Sequence, residues 1–244
     1  MEHAEPALRP PPVTYDDLAR RMEYALLSPD LSEEQIHAGC QLARELGLAQ
    51  ITVRPSDVEI VSQWMRGSGI ALGSVVGYPH GSGTTSAKVF ATRDLLQRGA
   101  ARIETALNVG KMLSRQFQYI ETELLQMVQE CRRAGAKLMA DLELPYLGPD
   151  HRVIVCRIAR RVELDFVRAA SAFAPGGSGA EDRAFLASKL GDAVRVDGGT
   201  LDSLDDILAA RAAGVETFAA RDPRAALDAW RAELQRRETE SSGL

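Results

Sequence analysis

The chain has 244 residues and a formal net charge of −5, and 45% of its residues are hydrophobic, 26% charged and 5% aromatic. These proportions are typical of a folded globular protein and exclude collagen-like, low-complexity and wholly disordered chains. A mildly acidic chain without a basic stripe is not expected to bind nucleic acid. The length suits one large domain, and about 250 residues is the usual size of an α/β barrel.

The cysteines, the apolar runs and the N-terminus bear on cellular location. Cys40, Cys131 and Cys156 are odd in number and far apart, so they predict neither a disulfide framework nor a zinc site. We therefore expect a reducing, cytoplasmic environment. No apolar run approaches the ~18 residues of a membrane span, and the N-terminus lacks the pattern of a signal peptide, so no membrane partner is expected. Its prolines predict an extended tail over 1–13.

Apolar patterns divide the chain into alternating strands and helices. A helix is predicted from residue 15 into an apolar stretch ending at 27, and a second helix opens with a capping box at Ser32 and ends before Gly47. Seven apolar runs that follow are predicted strands, at 49–53, 70–76, 102–107, 137–142, 164–169, 193–196 and 216–219. The helices predicted among them are 56–66, 84–98, 116–134, 150–161, 180–190, 203–213 and 223–236.

Seven strand–helix units favour a parallel sheet, because parallel strands are joined by helical crossovers. Repeats of about 25–35 residues without a dinucleotide fingerprint favour a closed barrel over an open sheet. The barrel then needs an eighth strand, for which 23–27 is the candidate. We predict an α/β fold, a single (β/α)8 TIM barrel over 14–236 with an N-terminal helical extension. A polar tail is expected over 237–244.

In such a barrel the chemistry lies at the C-terminal ends of the strands and in the loops that follow. Glycine-rich turns follow three strands, at 77–83, 175–179 and 197–199, where backbone N–H groups can approach an anion. The candidate catalytic residues at the strand ends are Glu104, Asp141, Arg168 and Arg195. The candidate substrate-binding residues are Tyr24, His80, Asn108, Ser171, Asp197, Gly176, Gly177, Gly198 and Gly199.

Several segments together resemble one family. VVGYPHGSGTTSAKVF (75–90), RIETALNVG (102–110), AKLMAD (136–141), LDFVRAASAFAPGG (164–177) and VRVDGGTLD (194–202) occur in order and at family spacing. They resemble the deoxyribose-phosphate aldolases, which are (β/α)8 barrels, and MEYALLSP (22–29) resembles that family's first strand. The resemblance covers about 22–220 and implies an aldolase-like barrel.

The resemblance also implies departures from the family. Its members form an imine through a lysine at the end of the sixth strand, where this chain has Arg168. A second family lysine, on the seventh strand, corresponds to Arg195, and the family's proton-relay aspartate corresponds to Glu104. The serine and glycine that help to hold phosphate correspond to 219–221. A guanidinium stays protonated and has no nucleophilic lone pair at neutral pH, so Arg168 is not expected to form an imine.

Three functional hypotheses remain open. In the first, Arg168 and Arg195 clamp a small anionic metabolite while Glu104 or Asp141 exchanges protons, and a C–C or C–N bond is made, broken or rearranged. In the second, the barrel is non-catalytic and an arginine–carboxylate network fills the place of the lost lysines. In the third, another lysine forms the imine. Lys137 is the candidate, although its place at a strand start favours a packed, paired role.

Other partners follow from the same residues. Two arginines at the barrel mouth would repel a divalent cation, so we expect no metal and no cofactor. The expected ligand is a small anionic metabolite, and a homodimer is compatible with the sequence. Lys88 is expected to be solvated or paired. A solvated helix face is predicted for Glu121, Glu123 and Glu130.

Overall fold

In a computed structural model, which describes residues 14–242, eight parallel strands close into one barrel in chain order. The strands are β1 (Met22–Leu26), β2 (Gln50–Val53), β3 (Ala71–Val76), β4 (Arg102–Ala106), β5 (Lys137–Asp141), β6 (Phe166–Arg168), β7 (Arg195–Leu201) and β8 (Val215–Ala220). The predicted (β/α)8 barrel is therefore confirmed. The tail predicted over 1–13 lies outside the described residues.

Ten helices surround the strands in the described part of the chain. They are α1 (Tyr15–Ala19), α2 (Glu33–Leu46), α3 (Val58–Trp64), α4 (Thr85–Gln97), α5 (Val109–Leu113), α6 (Phe117–Arg133), α7 (Pro149–Arg161), α8 (Ala180–Leu190), α9 (Leu204–Ala212) and α10 (Pro223–Ser242). None of the described helices is long and apolar enough to cross a membrane.

The first strand closes the barrel. Glu23 pairs with Gln50 of β2 on one side and with Ala219 of β8 on the other. The apolar stretch before Pro29 thus forms β1, after α1 has ended at Ala19. The candidate eighth strand was correctly chosen, with bounds one residue earlier than predicted.

The C-terminal end of the chain differs from the prediction. The polar tail expected from residue 237 is helical as far as Ser242, as part of α10. Arg236 lies 2.8 Å from Glu233 and 2.7 Å from Glu240, and Arg237 lies 2.6 Å from Glu233. Ion pairs at i,i+3 and i,i+4 stabilise a helix that has little apolar surface, which a composition-based prediction of fraying overlooks.

Side chains alternate in direction along each strand, which separates an apolar outer layer from a polar barrel interior. On β4, Ile103 packs in the hydrophobic core between strands and helices. Arg102 and Glu104, one residue away on either side, instead contact side chains of β2, β6 and β7 inside the barrel. The interior of this barrel is therefore rich in charge.

A buried ion pair outside the barrel joins α4 to α6. Lys88 Nζ lies 2.7 Å from Glu123 Oε1 and donates a second hydrogen bond to Ala106 O at 3.0 Å. Both side chains are almost fully buried. The solvated face predicted for Glu123 is therefore wrong, because the Lys88 side chain enters the layer between the helices and the strands.

Candidate active site

Arg168, the last residue of β6, lies among four carboxyl groups from four other strands. Its Nε is 2.8 Å from Asp197 Oδ1, and its terminal nitrogens are 3.4 Å from Glu104 Oε2, 3.6 Å from Asp141 Oδ1 and 3.6 Å from Glu23 Oε2. The guanidinium is thus enclosed by acidic groups, as a buried cation requires. The structure brings Arg168, Glu104 and Asp141 together at the carboxyl ends of the strands.

Arg195 lies elsewhere. It is the first residue of β7, and its guanidinium carbon stacks 3.9 Å from the ring centre of Phe166. The register places Arg195 beside Phe166 and Asp197 beside Arg168. The expectation that Arg195 joins Arg168 at the barrel mouth is therefore wrong, because β7 begins at Arg195 and its side chain lies one layer lower in the barrel.

Arg102 is the second cation of the cluster and was not selected from the sequence. Its Nη2 lies 3.3 Å from Asp197 Oδ2, its Nη1 donates to Gln50 Oε1 at 3.0 Å, and its guanidinium carbon stacks 4.3 Å from the Phe166 ring centre. Its position two residues before Glu104 on the same strand was the signal, since residues i and i+2 share one face of a strand.

Two of the carboxyl groups accept hydrogen bonds from further donors. Glu104 Oε1 accepts hydrogen bonds from Gln50 Nε2 at 3.1 Å and Thr52 Oγ1 at 3.0 Å. Asp197 accepts from Thr217 Oγ1 at 2.7 Å and from the Gly199 N–H at 2.9 Å. Burial would raise the pKa of Asp197, but the adjacent arginines and these donors lower it below its usual range.

Glu23 and Asp141 carry raised pKa values. Burial, reinforced by the charge of Glu104, raises the pKa of Glu23 to about 8. Burial raises the pKa of Asp141 to about 6, although Arg168 opposes the shift. Glu23 Oε2 and Asp141 Oδ1 accept no hydrogen bond from the residues that the structure describes. At neutral pH, Glu23 is therefore mostly protonated.

Tyr78, which follows β3, completes this group. Its hydroxyl donates a hydrogen bond to Asp141 Oδ2, and its ring packs edge-on against Phe173 with the centroids 6.4 Å apart. Burial, with the charge of Asp141, raises the pKa of the Tyr78 hydroxyl well above its usual range. Glu23, the second residue of β1, and Tyr78, two residues after β3, were not selected from the sequence.

A cavity of about 590 Å³ opens beside the cluster. Glu23, Tyr78, Glu104 and Arg168 contribute to its wall. Four of the predicted binding residues also line it: Ser171, Gly176, Gly177 and Gly199. Gly199 has φ +72°, and an added Cβ would lie 3.2 Å from Ser178 Oγ, so this turn requires glycine.

The other predicted binding residues lie outside this cavity. Tyr24 packs on the hydrophobic core, because its neighbour Glu23 takes the inward position of β1. Asn108 Oδ1 accepts the Lys111 N–H at 3.1 Å and caps α5. Gly198 is packed in the barrel wall, where an added Cβ would lie 3.1 Å from Val215.

Asp197 and His80 have different positions. Asp197 is fully buried beneath the cavity surface and contacts Arg168 rather than facing the cavity. His80 is exposed and lines a smaller neighbouring cavity.

All four lysines of the chain lie within the described residues, and none lines the large cavity. Lys137 opens β5, with a half-exposed side chain 2.9 Å from Asp165 Oδ1, at the opposite end of the strand from the cluster. Lys88 is paired with Glu123. Lys111 lies 4.9 Å from the Tyr119 ring centre and Lys189 5.9 Å from that of Phe185.

Within residues 14–242, no group of three or more histidine, cysteine, aspartate or glutamate side chains is placed to hold a metal ion. The site is instead a cluster of carboxyl groups around arginine at the C-terminal mouth of a (β/α)8 barrel. This is the position of the active site in barrel enzymes.

Comparison with known proteins agrees with this class. The chain is 31% identical over 198 residues to the deoxyribose-phosphate aldolase of Bacteroides thetaiotaomicron, which covers 81% of this chain and 83% of that relative. It is 30% identical over 199 residues to that of Streptococcus sanguinis, covering 81% and 89%. The chain therefore belongs to the deoxyribose-phosphate aldolase family. No family model matches the chain.

Solved structures share the fold. A protein described as a deoxyribose-phosphate aldolase from Coccidioides immitis superposes with a TM-score of 0.87 at 21% identity, covering 93% of this chain and 90% of that chain. The deoxyribose phosphate aldolase of Aeropyrum pernix, described as a tetramer, superposes with a TM-score of 0.81 at 23% identity, covering 89% and 92%.

Proposed function

We propose that this protein is an aldolase-like barrel enzyme that acts on a small anionic metabolite by acid/base chemistry, without an imine to the enzyme. The observation that carries this proposal is the wall of the large cavity, which contains Glu23, Glu104 and Arg168 but none of the four lysines. An enzyme imine requires a primary amine that can lose its proton, which a guanidinium cannot replace. The bond that reacts would be C–C or C–N.

Two carboxyl groups in different surroundings, both in the cavity wall, suit general acid and base roles. Glu104, which accepts hydrogen bonds from Gln50, Thr52 and Arg168, is the proposed base and takes a proton from the carbon beside a substrate carbonyl. Glu23, whose pKa is raised to about 8 by burial, is the proposed acid and donates its proton to the carbonyl oxygen. Arg168 stabilises the negative charge that develops on that oxygen.

The anionic end of the substrate is assigned to the glycine-rich turn rather than to Arg168. Arg168 is already within 3.6 Å of four carboxyl groups, so a bound anion there would meet strong repulsion. Gly176 and Gly177 line the cavity and lead to Gly179, the N-cap of α8, which has no side-chain cap. Helix N-terminal amides and the exposed Arg221, also in the cavity wall, favour phosphate or carboxylate.

Solvent deuterium exchange tests the proposal. The protein would be incubated in D2O with hydroxycarbonyl phosphates and carboxylates, and exchange beside the carbonyl would be followed by NMR. Glu104→Gln should slow exchange by about 10²–10⁴-fold, as expected for loss of a general base. Glu59→Gln, which removes a carboxylate that is exposed on α3, should not change the rate.

Borohydride treatment with the same substrates distinguishes the third hypothesis. The proposed chemistry predicts no trapped adduct and no loss of exchange activity. A covalent adduct on Lys137, absent in Lys137→Ala, would contradict it and establish an imine route.

A non-catalytic ligand-binding barrel is the second candidate, because four carboxyl groups enclose Arg168 as in a structural network. This alternative predicts that phosphates or carboxylates raise the melting temperature while no substrate exchanges deuterium. Arg168→Gln sharpens the distinction. In an enzyme it should slow exchange with the fold intact, whereas in a binding barrel it should alter stability alone.

A further inference from the structure

A second, smaller cavity adjoins the candidate active site. Its volume is about 190 Å³, roughly six times the volume of a liquid water molecule. It shares Ser171 and Phe173 with the large cavity as wall residues. A small group bound in it would therefore lie next to whatever occupies the barrel mouth.

Glu143 supplies a buried carboxylate with an unused oxygen to this cavity. The residue is 4% exposed, and its Oε1 accepts the Ser171 N–H at 3.4 Å. Its Oε2 is buried and accepts no hydrogen bond from any residue in the described part of the chain. A buried carboxylate oxygen without a donor is costly, so this position favours a ligand that brings one.

The backbone at Glu143 is also unusual. Its φ is +53°, in the left-handed region that residues other than glycine rarely adopt. The following turn carries Leu144 into the core and Tyr146 to the cavity wall. The fold thus maintains an uncommon conformation at the residue whose carboxylate lines the cavity.

The remaining walls favour a cation over other ligands. Tyr146 and Phe173 present aromatic rings, which attract cations through their faces. Of the described residues, no lysine or arginine lines the cavity. His80 is exposed, and no ion pair joins it to Glu143 within residues 14–242. Burial raises the pKa of the Glu143 carboxyl, and a bound cation would stabilise its ionised form. An anion would instead meet the carboxyl oxygens, and an apolar group would leave Oε2 without a donor.

We propose that this cavity is a second ligand subsite that binds the primary ammonium group of a small amine. Glu143 Oε2 accepts an N–H of the ammonium, while Tyr146 and Phe173 flank its alkyl portion. Amine binding at this subsite does not depend on whether the neighbouring cavity catalyses a reaction. In a reaction that forms or breaks a C–N bond, it would place the amine beside the carbonyl compound.

NMR titration of the full chain with three probes of similar size tests the subsite at constant ionic strength. The probes are ethylammonium, its neutral counterpart ethanol, and acetate. Ethylammonium should shift the amide signal of Ala174, which lines the small cavity but not the large one, in a saturable manner, and the other two should not. Equal saturable shifts with ethanol would overturn the assignment to an ammonium, and the absence of saturable shifts with ethylammonium would overturn the subsite itself.

Variants localise the binding. Glu143→Gln keeps the shape of the side chain but removes its charge, and should weaken ethylammonium binding at least about tenfold. Glu59→Gln, which removes an exposed carboxylate on α3, is the matched control and should bind as the wild type does. Ala174→Leu fills the cavity and leaves Glu143 in place, so it should also abolish the shifts. Unchanged affinity in either cavity variant would refute the proposal.

Discussion

Two buried ionic groups in this molecule differ in their charge balance. Outside the barrel, Lys88 faces one carboxylate, Glu123, at 2.7 Å, and its other hydrogen bond goes to a backbone carbonyl. Inside the barrel, Arg168 faces four carboxyl groups, and two of their oxygens accept no hydrogen bond from the described residues. A balanced pair with its donors and acceptors satisfied stabilises a fold, whereas an excess of one charge at a cavity is typical of a site that binds or transfers protons.

Breaking the Lys88–Glu123 ion pair should have the larger effect on stability. Lys88→Met leaves Glu123 buried without its cation and should lower the free energy of unfolding by about 3–5 kcal/mol, measured by urea denaturation. The double variant Lys88→Met/Glu123→Leu should recover much of this loss, because no charge then remains unpaired. A loss below about 1 kcal/mol in the single variant would show that water reaches the pair.

Removing Arg168 from the barrel should have a smaller effect on stability, and that effect should depend on pH. Arg168→Met should cost about 1–3 kcal/mol at pH 7. Glu23 and Asp141, whose pKa values are already raised by burial to about 8 and about 6, can respond by binding protons. The difference from wild type should therefore shrink as the pH falls towards 5, and a difference independent of pH would argue against proton uptake by the cluster.

Glu23 should make stability decrease with rising pH. Its folded-state pKa of about 8 exceeds the unfolded value of 4.5, so between these values the folded protein holds a proton that the unfolded chain releases. Stability is therefore lost as the pH rises through this range. Glu23→Gln should reduce that decline by about 2–4 kcal/mol between pH 5 and pH 8, measured by denaturation at each pH. A parallel decline in both proteins would place the titrating group elsewhere.

The half-exposed pair of Lys137 and Asp165 should contribute least. Lys137→Gln should change the free energy of unfolding by less than about 1 kcal/mol, because solvent screens the pair. It should also leave deuterium exchange unchanged, since Lys137 lies at the start of β5, away from the cluster. Loss of exchange with stability intact would give Lys137 a chemical role.

Much of the site was predictable because strand ends are local features of the sequence. The resemblance and the strand pattern selected Glu104, Asp141 and Arg168, which the barrel does bring together. Arg195 was misplaced because a strand's exact start depends on pairing with its neighbours rather than on its own residues. Arg102 was missed although its strand start was predicted correctly, because only the barrel interior shows how far its side chain reaches towards Asp197.

The sequence by itself determined the (β/α)8 barrel, because hydrophobic periodicity and glycine-rich turns are set by residues near one another in the chain. It also determined that the family resemblance places an arginine at the end of β6. Only the tertiary structure decided that Arg168 is enclosed by carboxyl groups rather than free to clamp an anion. It likewise decided that Glu143 Oε2 accepts no hydrogen bond from residues 14–242. Burial and partners depend on residues from several strands, and therefore on how the barrel closes.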